Sequence, residues 1–410
     1  MNDHDQLEEL YERGLTNLAD EAPFAPGLDF DAVAGRAGRI RRNRRIAGAV
    51  AVAAVTAVVI PSVLSVTGGP RADRDVQPAV PSPDAPTQVA RTTLTLHGLP
   101  HGAAPGIEYF TADGVVLPDR GLVRTDQNYQ GLVPSEADGG PGGFVAVEPD
   151  GQHLRVLTQD FERQSGSATT QSFVTNTGRD HYAFVAVEAG AQTLVSRDTT
   201  DAEGGMTWQL PATGVADVAG YLGDERILVE NVDQNDGTSD LRIAEPDGSL
   251  TQVRGYLKAL STSPEAQSFA VQTGDGPHGP CFGVVDSTSL TEKWDTCDYK
   301  LGAFSPDGHY VLATSPSTDG MGPRDLEVLD AGTGDLVASF TPDKNSQLFM
   351  VGVTWETADT FLANAYEGTS GSVIRMGVDG SLEDAVAPVE VKDVFGDLPF
   401  WFGYDRVRGL

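Results

Sequence analysis

Short apolar segments recur along the second half of this 410-residue chain, and their spacing restricts the fold more than any other feature. One series of strand-forming runs returns roughly every 40 to 50 residues, and a second series follows it by about 11 to 14 residues. The first series comprises residues 227–229, 269–271, 311–313 and 361–363, and the second begins near Leu241, Phe282, Leu326 and Val373. Because the two series keep step, we interpret them as neighbouring strands of a repeating unit.

Turns of one chemical kind separate these runs. They are Ser305, Pro306, Asp307 and Gly308, and the Asp-Gly-rich residues 246–248, 332–335 and 378–380. Proline presets one turn angle, aspartate caps the backbone, and glycine takes the left-handed position. A repeat of about 40 to 50 residues built from short antiparallel strands is typical of a β-propeller. We therefore predict an all-β fold for residues 91–410.

One pair of segments carries a resemblance to a known family. Residues 303–315 (AFSPDGHYVLATS) and 325–340 (DLEVLDAGTGDLVASF) resemble a blade of the WD40-like, TolB-type propellers. The resemblance extends over residues 216–392, about four blades, and residues 91–215 would hold roughly three more at the same period. It implies about seven four-stranded blades, with six or eight left open. The degenerate strands expected upstream lie in residues 106–119, 143–158 and 181–196.

The C-terminal segment is too aromatic for a loose tail. Its aromatic residues are Phe395, Phe400, Trp401, Phe402 and Tyr404. Exposed sheet edges are a liability that a closed ring removes. We predict that this segment closes the ring by pairing with the strand around Thr92 to Leu96.

An uncharged stretch, residues 46–66, follows directly on a cluster of arginines. The cluster comprises Arg39, Arg41, Arg42, Arg44 and Arg45. A helix of this length measures about 31 Å, enough to cross a hydrocarbon core of about 30 Å. The arginines favour a cytoplasmic N-terminus and a C-terminal domain outside. We predict a single-pass protein of the cell membrane. A cleaved signal peptide is the main alternative, although a long segment precedes the apolar core and no Ala-x-Ala site follows it.

These features divide the chain into a cytoplasmic helical tail (1–45), a transmembrane helix (46–66), a Pro-rich linker (67–90) and an extracytoplasmic β-propeller (91–410). The composition of the linker is typical of an extended spacer. Nearly all of the formal net charge of −31 lies after residue 66. Such an acidic surface disfavours nucleic acid as a partner. The scarcity of lysine resembles the composition of proteins from high-GC actinobacteria.

The only two cysteines, Cys281 and Cys297, lie in the predicted extracytoplasmic part. An oxidising compartment favours a disulfide between them. Closing a loop of about 15 residues stabilises the fold by about 3 kcal/mol in the chain-entropy model. A metal site is the alternative, but His278 is the only further ligand nearby.

The chain carries no recognisable catalytic motif: it lacks G-x-S-x-G, H-E-x-x-H, a Walker loop, and G-x-G-x-x-G after a strand. His97 and His101 have an i, i+4 spacing, but the glycines and proline around them exclude the helix that a shared metal needs. Residues 233–240 are similar to a calcium loop, yet their glycine comes one position too early. We predict no catalytic residue, no metal-binding residue and no cofactor, and leave calcium open at an acidic loop.

The N-terminal tail shows helical periodicity. Its apolar positions are Leu7, Leu10, Tyr11, Leu15 and Leu18. A helical tail, one membrane span and an outer domain resemble the layout of membrane-bound anti-sigma factors of actinobacteria. Zinc-binding members of that group carry H-x-x-x-C-x-x-C, whereas this tail has only His4 and no cysteine. A cytoplasmic protein partner on residues 1–38 is therefore an expectation from layout, and packing on the membrane or on another copy is the alternative.

Together these observations predict a membrane-anchored, extracytoplasmic propeller that acts as a non-catalytic binding or sensing module. Its partner would be a protein or another envelope component. A transmembrane anti-sigma-like regulator is one alternative. A propeller hydrolase or lyase acting on envelope glycans or peptides is the other, and perturbed carboxylates in the channel would favour it.

Overall fold

A computed structural model describes the propeller and leaves out the N-terminal segments. The described residues are 89–125, 127, 129, 131–134, 143–148, 153–168, 172–176, 180–188, 190–199, 205–223, 225–233, 238–263, 267–276, 279–316, 322–392 and 399–402. The predicted tail, the apolar stretch 46–66 and nearly all of the linker fall outside them. Within these ranges, no helix has the length and apolar character to span a membrane.

The described chain forms strands grouped into seven sheets. An edge strand, β1 (Ala90–Leu94), comes first. Blade one contains β2 (Tyr109–Thr111), β3 (Gly114–Leu117) and β4 (Gly121–Val123). Blade two contains β5 (Gly131–Pro134), β6 (Phe144–Val147), β7 (His153–Leu157) and β8 (Arg163–Ala168). Blade three contains β9 (Phe173–Thr175), β10 (His181–Glu188), β11 (Ala191–Asp198) and β12 (Met206–Gln209).

Blade four contains β13 (Val215–Leu222), β14 (Arg226–Val232), β15 (Ser239–Ala244) and β16 (Leu250–Val253). Blade five contains β17 (Lys258–Thr262), β18 (Ser268–Gly276), β19 (Gly279–Asp286) and β20 (Glu292–Thr296). Blade six contains β21 (Lys300–Phe304), β22 (Tyr310–Thr314), β23 (Leu326–Asp330) and β24 (Leu336–Pro342). Blade seven contains β25 (Phe349–Trp355), β26 (Thr360–Glu367), β27 (Ser370–Gly377) and β28 (Leu382–Glu390).

This arrangement is a seven-bladed β-propeller. Blades two to seven each carry four strands in chain order. First strands of neighbouring blades contact one another, β9 with β13, β13 with β17, β17 with β21, and β21 with β25. The first strands are therefore the inner ones, and they surround the central channel.

The two sequence series correspond to specific strands. The first series lies on the second strands β14, β18, β22 and β26, and the second series lies on the third strands β15, β19, β23 and β27. The three degenerate fragments contain β2 with β3, β6 with β7, and β10 with β11. These middle strands have a neighbouring strand on each edge and pack between blades, so their sequences are mostly apolar.

Ring closure involves the predicted segment but a different partner. Trp401 forms an antiparallel bridge with Phe110, and each backbone N–H donates to the other residue's carbonyl. Their rings stack with centroids 5.5 Å apart. Residues 399–402 thus occupy the inner position of blade one, beside β2, while Phe395 and Tyr404 lie outside the described residues. The predicted pairing of this segment with Thr92 to Leu96 is wrong, because β1 pairs with β24 of blade six.

The segment 89–107, here called the strap, runs along the outer edges of two blades. Strand β1 pairs in parallel with β24, as the fifth strand of blade six. Gly102 then donates to the carbonyl of Asp384 on β28, the outermost strand of blade seven. The strap therefore covers two strand edges before the chain enters blade one.

Bulges recur in the first strands of blades four to seven. The register shifts between Val218 and Gly220 in β13, and between Ala259 and Ser261 in β17. Equivalent shifts occur in β21 and β25. A bulge leaves a residue outside the ladder and increases local twist, which suits strands that crowd around an axis.

Candidate functional site

The face of the ring on which the first strands begin, here called the entry face, collects exposed apolar side chains. Val215 opens β13, Leu257 immediately precedes β17, and Val351 is the residue bulged out of β25. Their exposed fractions are 41 %, 48 % and 40 %. All three lie on inner strands, so they surround the mouth of the channel.

Charged groups lie beside these apolar residues on blades four, five and six. Asp217 and Glu230 face each other across β13 and β14. Lys258 is the first residue of β17, and Lys300 is the first residue of β21. Acids and lysines therefore follow one another around one part of the channel mouth.

Glu230 ties blade four to blade five. Its side chain accepts a hydrogen bond of 2.7 Å from the hydroxyl of Ser239 and another from the backbone N–H of Ala259. Burial raises the pKa of Glu230, and these hydrogen bonds together with Lys258 oppose the rise. The Glu230 carboxylate therefore forms hydrogen bonds that help to hold blades four and five together.

Lys300 is half-buried, and burial together with the nearby Lys258 lowers its pKa. Neither ammonium makes a hydrogen bond or ion pair within the described chain. Directly across the ladder from Lys300 lies Thr314, which is 1 % exposed. The Thr314 hydroxyl has no hydrogen-bond partner in the described residues. Lys258 is exposed to solvent, whereas the Thr314 hydroxyl is buried.

Glu327 is a second carboxylate with a perturbed pKa. It is 8 % exposed, and burial together with Asp325 raises its pKa to about 7. Its Oε2 atom has no hydrogen-bond partner among the residues described. Glu327 lies opposite Ala313, on the side of blade six that packs against blade five. Blade five thus separates Glu327 from Glu230.

The opposite face holds the best-organised ion pair. The Arg375 guanidinium bonds both oxygens of Glu356 and also reaches Glu383. The same group donates to the carbonyls of Ala103 and Ala104 at 3.1 and 3.2 Å. Burial alone raises the pKa of Glu356, but hydrogen bonds from Arg375 and from the Gly106 N–H bring it below its ordinary value. This clamp fixes the strap to blade seven.

The turn between β21 and β22 contains the predicted turn residues Ser305, Pro306, Asp307 and Gly308. The Ser305 hydroxyl donates to Asp307 at 2.6 Å and accepts from the N–H of Tyr310 at 3.0 Å. Gly308 takes a positive φ of 74°. Their role is therefore structural: they build a turn.

The cysteine prediction also has a definite outcome. Cys281 and Cys297 are disulfide-bonded, joining the start of β19 to the residue after β20. The predicted metal alternative has no support in the described residues, in which no group of three or more His, Cys, Asp or Glu side chains could hold a metal. His278 lies outside those residues.

The other residues considered as site candidates either do not come together or lie outside the described residues. His97 is 3.8 Å from Glu367 at the end of β26, while His101 bridges to Asp384 on β28, a different strand of the same blade. Residues 234–237 of the acidic loop are not described, so calcium there stays a prediction. The five arginines from Arg39 to Arg45 also lie outside the described residues.

The charged groups of the entry face were missed by the sequence reasoning. Lys258 and Lys300 are 42 positions apart, which is one repeat period. This spacing could have indicated that the two lysines occupy equivalent positions in neighbouring blades. Lysine is rare in the chain, so two lysines at equivalent positions stand out. Nothing local distinguishes Glu230 or Glu327 from other acids in the sequence.

No family model matches the sequence, and no curated protein matches it. Solved structures resemble this chain at low identity. The Dos1 propeller is 11 % identical with a TM-score of 0.45, covering 65 % of this chain and 72 % of that chain. TolB from Acinetobacter baumannii is 12 % identical with a TM-score of 0.38, covering 65 % and 67 %. An acylaminoacyl peptidase is 10 % identical with a TM-score of 0.42, covering 62 % and 46 %.

The chain is a seven-bladed β-propeller with TolB among its structural neighbours. At such low identity the likeness concerns the fold alone. Propellers host unrelated functions, so activity has to be argued from the residues of this chain.

Proposed function

We propose that the chain is a membrane-displayed β-propeller that binds a protein partner on its entry face without chemical conversion. The main observation behind this proposal is the set of exposed apolar side chains at the channel mouth, Val215, Leu257 and Val351. Grouped exposed apolar residues are typical of protein interaction surfaces. The adjacent Lys258 and Lys300 add positive charge to a strongly acidic molecule. Charge complementarity therefore favours a partner segment that combines apolar and acidic residues.

The arrangement of carboxylates supports binding over hydrolysis. A glycosidase needs two carboxyl groups flanking one bond. Glu230 and Glu327 both have raised pKa values, but blade five lies between them. Glu230 also accepts hydrogen bonds from Ser239 and Ala259, which hold it in place. The two acids are better explained as parts of the blade packing.

Display outside the membrane rests on separate arguments. The disulfide between Cys281 and Cys297 is of the kind that persists in oxidising compartments. The Pro-rich residues upstream of β1 and the apolar stretch 46–66 suit a tethered domain. The strap attaches at the outer edge of blades six and seven, away from the channel mouth.

Site-specific photo-crosslinking of the full-length protein in membranes tests the proposal. A photoreactive residue at position 257 is compared with one at 122, because Leu257 and Leu122 are almost equally exposed, at 48 % and 47 %, but Leu122 lies on the outer strand of blade one. We expect one protein to be captured from position 257 only, and Leu257→Asp to abolish co-purification where Leu122→Asp preserves it. Equal capture from both positions would exclude the entry face.

A transmembrane sensor is a second candidate, and the strap favours it. Arg375 donates to the carbonyls of residues 103 and 104, so the strap, which follows the proposed membrane segment in the chain, is attached to blade seven. Co-purification with and without residues 1–38 tests this role. Loss of a cytoplasmic protein, such as a sigma factor, on deletion supports a sensor. Retention of every partner on deletion contradicts it.

A further inference from the structure

The chain segment 343–351, here called the crossover segment, joins blade six to blade seven on the entry face and has side chains on two sides. Val351 at its end is 40 % exposed at the channel mouth, where the register of β25 shifts between Met350 and Gly352. Leu348 and Met350 are instead completely buried. One short segment therefore belongs both to the proposed binding surface and to the interior of the protein.

The interior contacts of the crossover segment involve the strap. Leu94 and Leu96 of the strap are buried in the same hydrophobic cluster as Leu348 and Met350. The strap is therefore part of the packing that supports the bulge at Val351. Because protein interiors are close-packed, a departure of the strap would leave a void in this cluster.

A carboxylate connects the same two segments through hydrogen bonds. Glu367, the last residue of β26, accepts a bond of 2.6 Å from the Ser346 hydroxyl on one oxygen and a bond of 3.2 Å from the Leu96 backbone N–H on the other. The His97 ring lies 3.8 Å from the second oxygen. The Ser346 hydroxyl also accepts from the N–H of Leu348 at 3.0 Å. Hydrogen bonds therefore run without a break from the crossover segment to the strap.

We propose that Glu367, together with the packing of Leu348 and Met350, couples partner binding at the entry face to docking of the strap. A partner that contacts Val351 binds the bulged form of β25, which is the form that the docked strap supports. Partner and strap therefore stabilise each other, because coupling between two sites acts equally in both directions. Release of the strap lowers the affinity of the entry face. This inference rests on the proposed function and adds its regulation.

Hydrogen exchange followed by mass spectrometry on the full-length protein in detergent tests the coupling without a partner. Leu96→Ala removes packing beside the crossover segment, whereas Ile107→Ala removes packing at the other end of the strap, in the cluster of Tyr109 and Phe400. We expect exchange of residues 346–353 to accelerate about tenfold in Leu96→Ala and to keep the wild-type rate in Ile107→Ala. Unchanged exchange in Leu96→Ala, or the same acceleration in both variants, would overturn the coupling.

Glu367→Gln tests the hydrogen-bonded connection while the apolar packing stays in place. A glutamine side chain has a single acceptor oxygen, so it cannot accept from Ser346 and Leu96 on two oxygens as the carboxylate does. Exchange of residues 346–353 should again be faster than in wild type. Circular dichroism melting verifies that each variant is folded. Exchange at the wild-type rate would overturn the assignment of Glu367.

Photo-crosslinking from position 257 relates the coupling to binding, because Leu257 lies on blade five and the strap on blades six and seven. Partner capture should fall about fivefold in Leu96→Ala and in Glu367→Gln, and Ile107→Ala should capture as well as wild type. Undiminished capture in Leu96→Ala would overturn the coupling and leave binding at the entry face in place. A lack of capture by the wild-type protein would overturn the proposed function itself, and this inference with it.

Discussion

The indole N–H of Trp355 donates a hydrogen bond of 3.0 Å to the carbonyl of Ala303, across the boundary between blades seven and six. Ala303 lies in the bulge of β21, where the ladder to β22 is interrupted. The adjacent carbonyl of Gly302 accepts a hydrogen bond from Ser261 of blade five. The bulge thus releases two carbonyls, and one neighbouring blade satisfies each of them.

Trp355→Phe should destabilise the propeller by about 1–2 kcal/mol, because the part-buried hydrogen bond to the Ala303 carbonyl would be lost. Denaturant unfolding monitored by circular dichroism measures the loss. Tyr310→Phe is the matched control: the Tyr310 ring stacks on Trp355, and its hydroxyl makes no hydrogen bond in the described chain. Equal stabilities of wild type and Trp355→Phe would contradict the assigned role of the hydrogen bond.

Removal of the residues after Val391 should lower the melting temperature strongly, because blade one would lose its inner segment. That segment stacks Trp401 on Phe110 and lets Asn364 donate to the carbonyl of Phe400. A version ending at Phe402 keeps these contacts and should melt like wild type. Trp401→Ala alone should cost about 2–3 kcal/mol through lost packing. Unchanged melting of the version ending at Val391 would refute closure by this segment.

Glu327→Gln should stabilise the protein at alkaline pH. Burial raises the folded pKa of Glu327 from its ordinary value of 4.5 to about 7. Stability is therefore lost as the pH rises from the ordinary value through the folded one. A neutral amide removes this loss. The gain over wild type should be on the order of 2 kcal/mol at pH 8 and close to zero at pH 4. Unfolding free energies across this range measure it, and a gain independent of pH would contradict the titration of Glu327.

Arg375→Met should release the strap. Glu356, which is 7 % exposed in the intact protein, would lose its guanidinium partner, and breaking one side of such a buried pair costs about 3–5 kcal/mol. The strap residues 97–107 should become sensitive to protease in the variant. Arg242→Met, which breaks a more exposed pair with Asp240, should change stability by less than about 1 kcal/mol.

The same clamp has a pH dependence with the opposite sign to that of Glu327. Because the folded pKa of Glu356 is lowered, its contribution is present above its unfolded pKa and is lost as the pH falls through the folded value. The stability difference between wild type and Glu356→Gln should therefore shrink on acidification below about pH 4. A difference that grows at low pH would show that Glu356 is not held by Arg375.

The sequence determined the middle of each blade. The runs at 227–229 and 311–313 lie on β14 and β22, because strands flanked on both edges and packed between blades must be apolar and rich in strand-forming residues. The turn from Ser305 to Gly308 was equally readable, since its chemistry is local. The disulfide followed from the presence of only two cysteines.

Only the tertiary structure decided the edges and the channel mouth. Strand β1 pairs with β24, and Trp401 with Phe110, because the ring determines which edges remain open, and no local pattern records this. Lys258 and Lys300 become neighbours through contact between the first strands of two blades. Periodicity is a property of local sequence, whereas edge pairing and charge proximity depend on contacts between residues far apart in the chain.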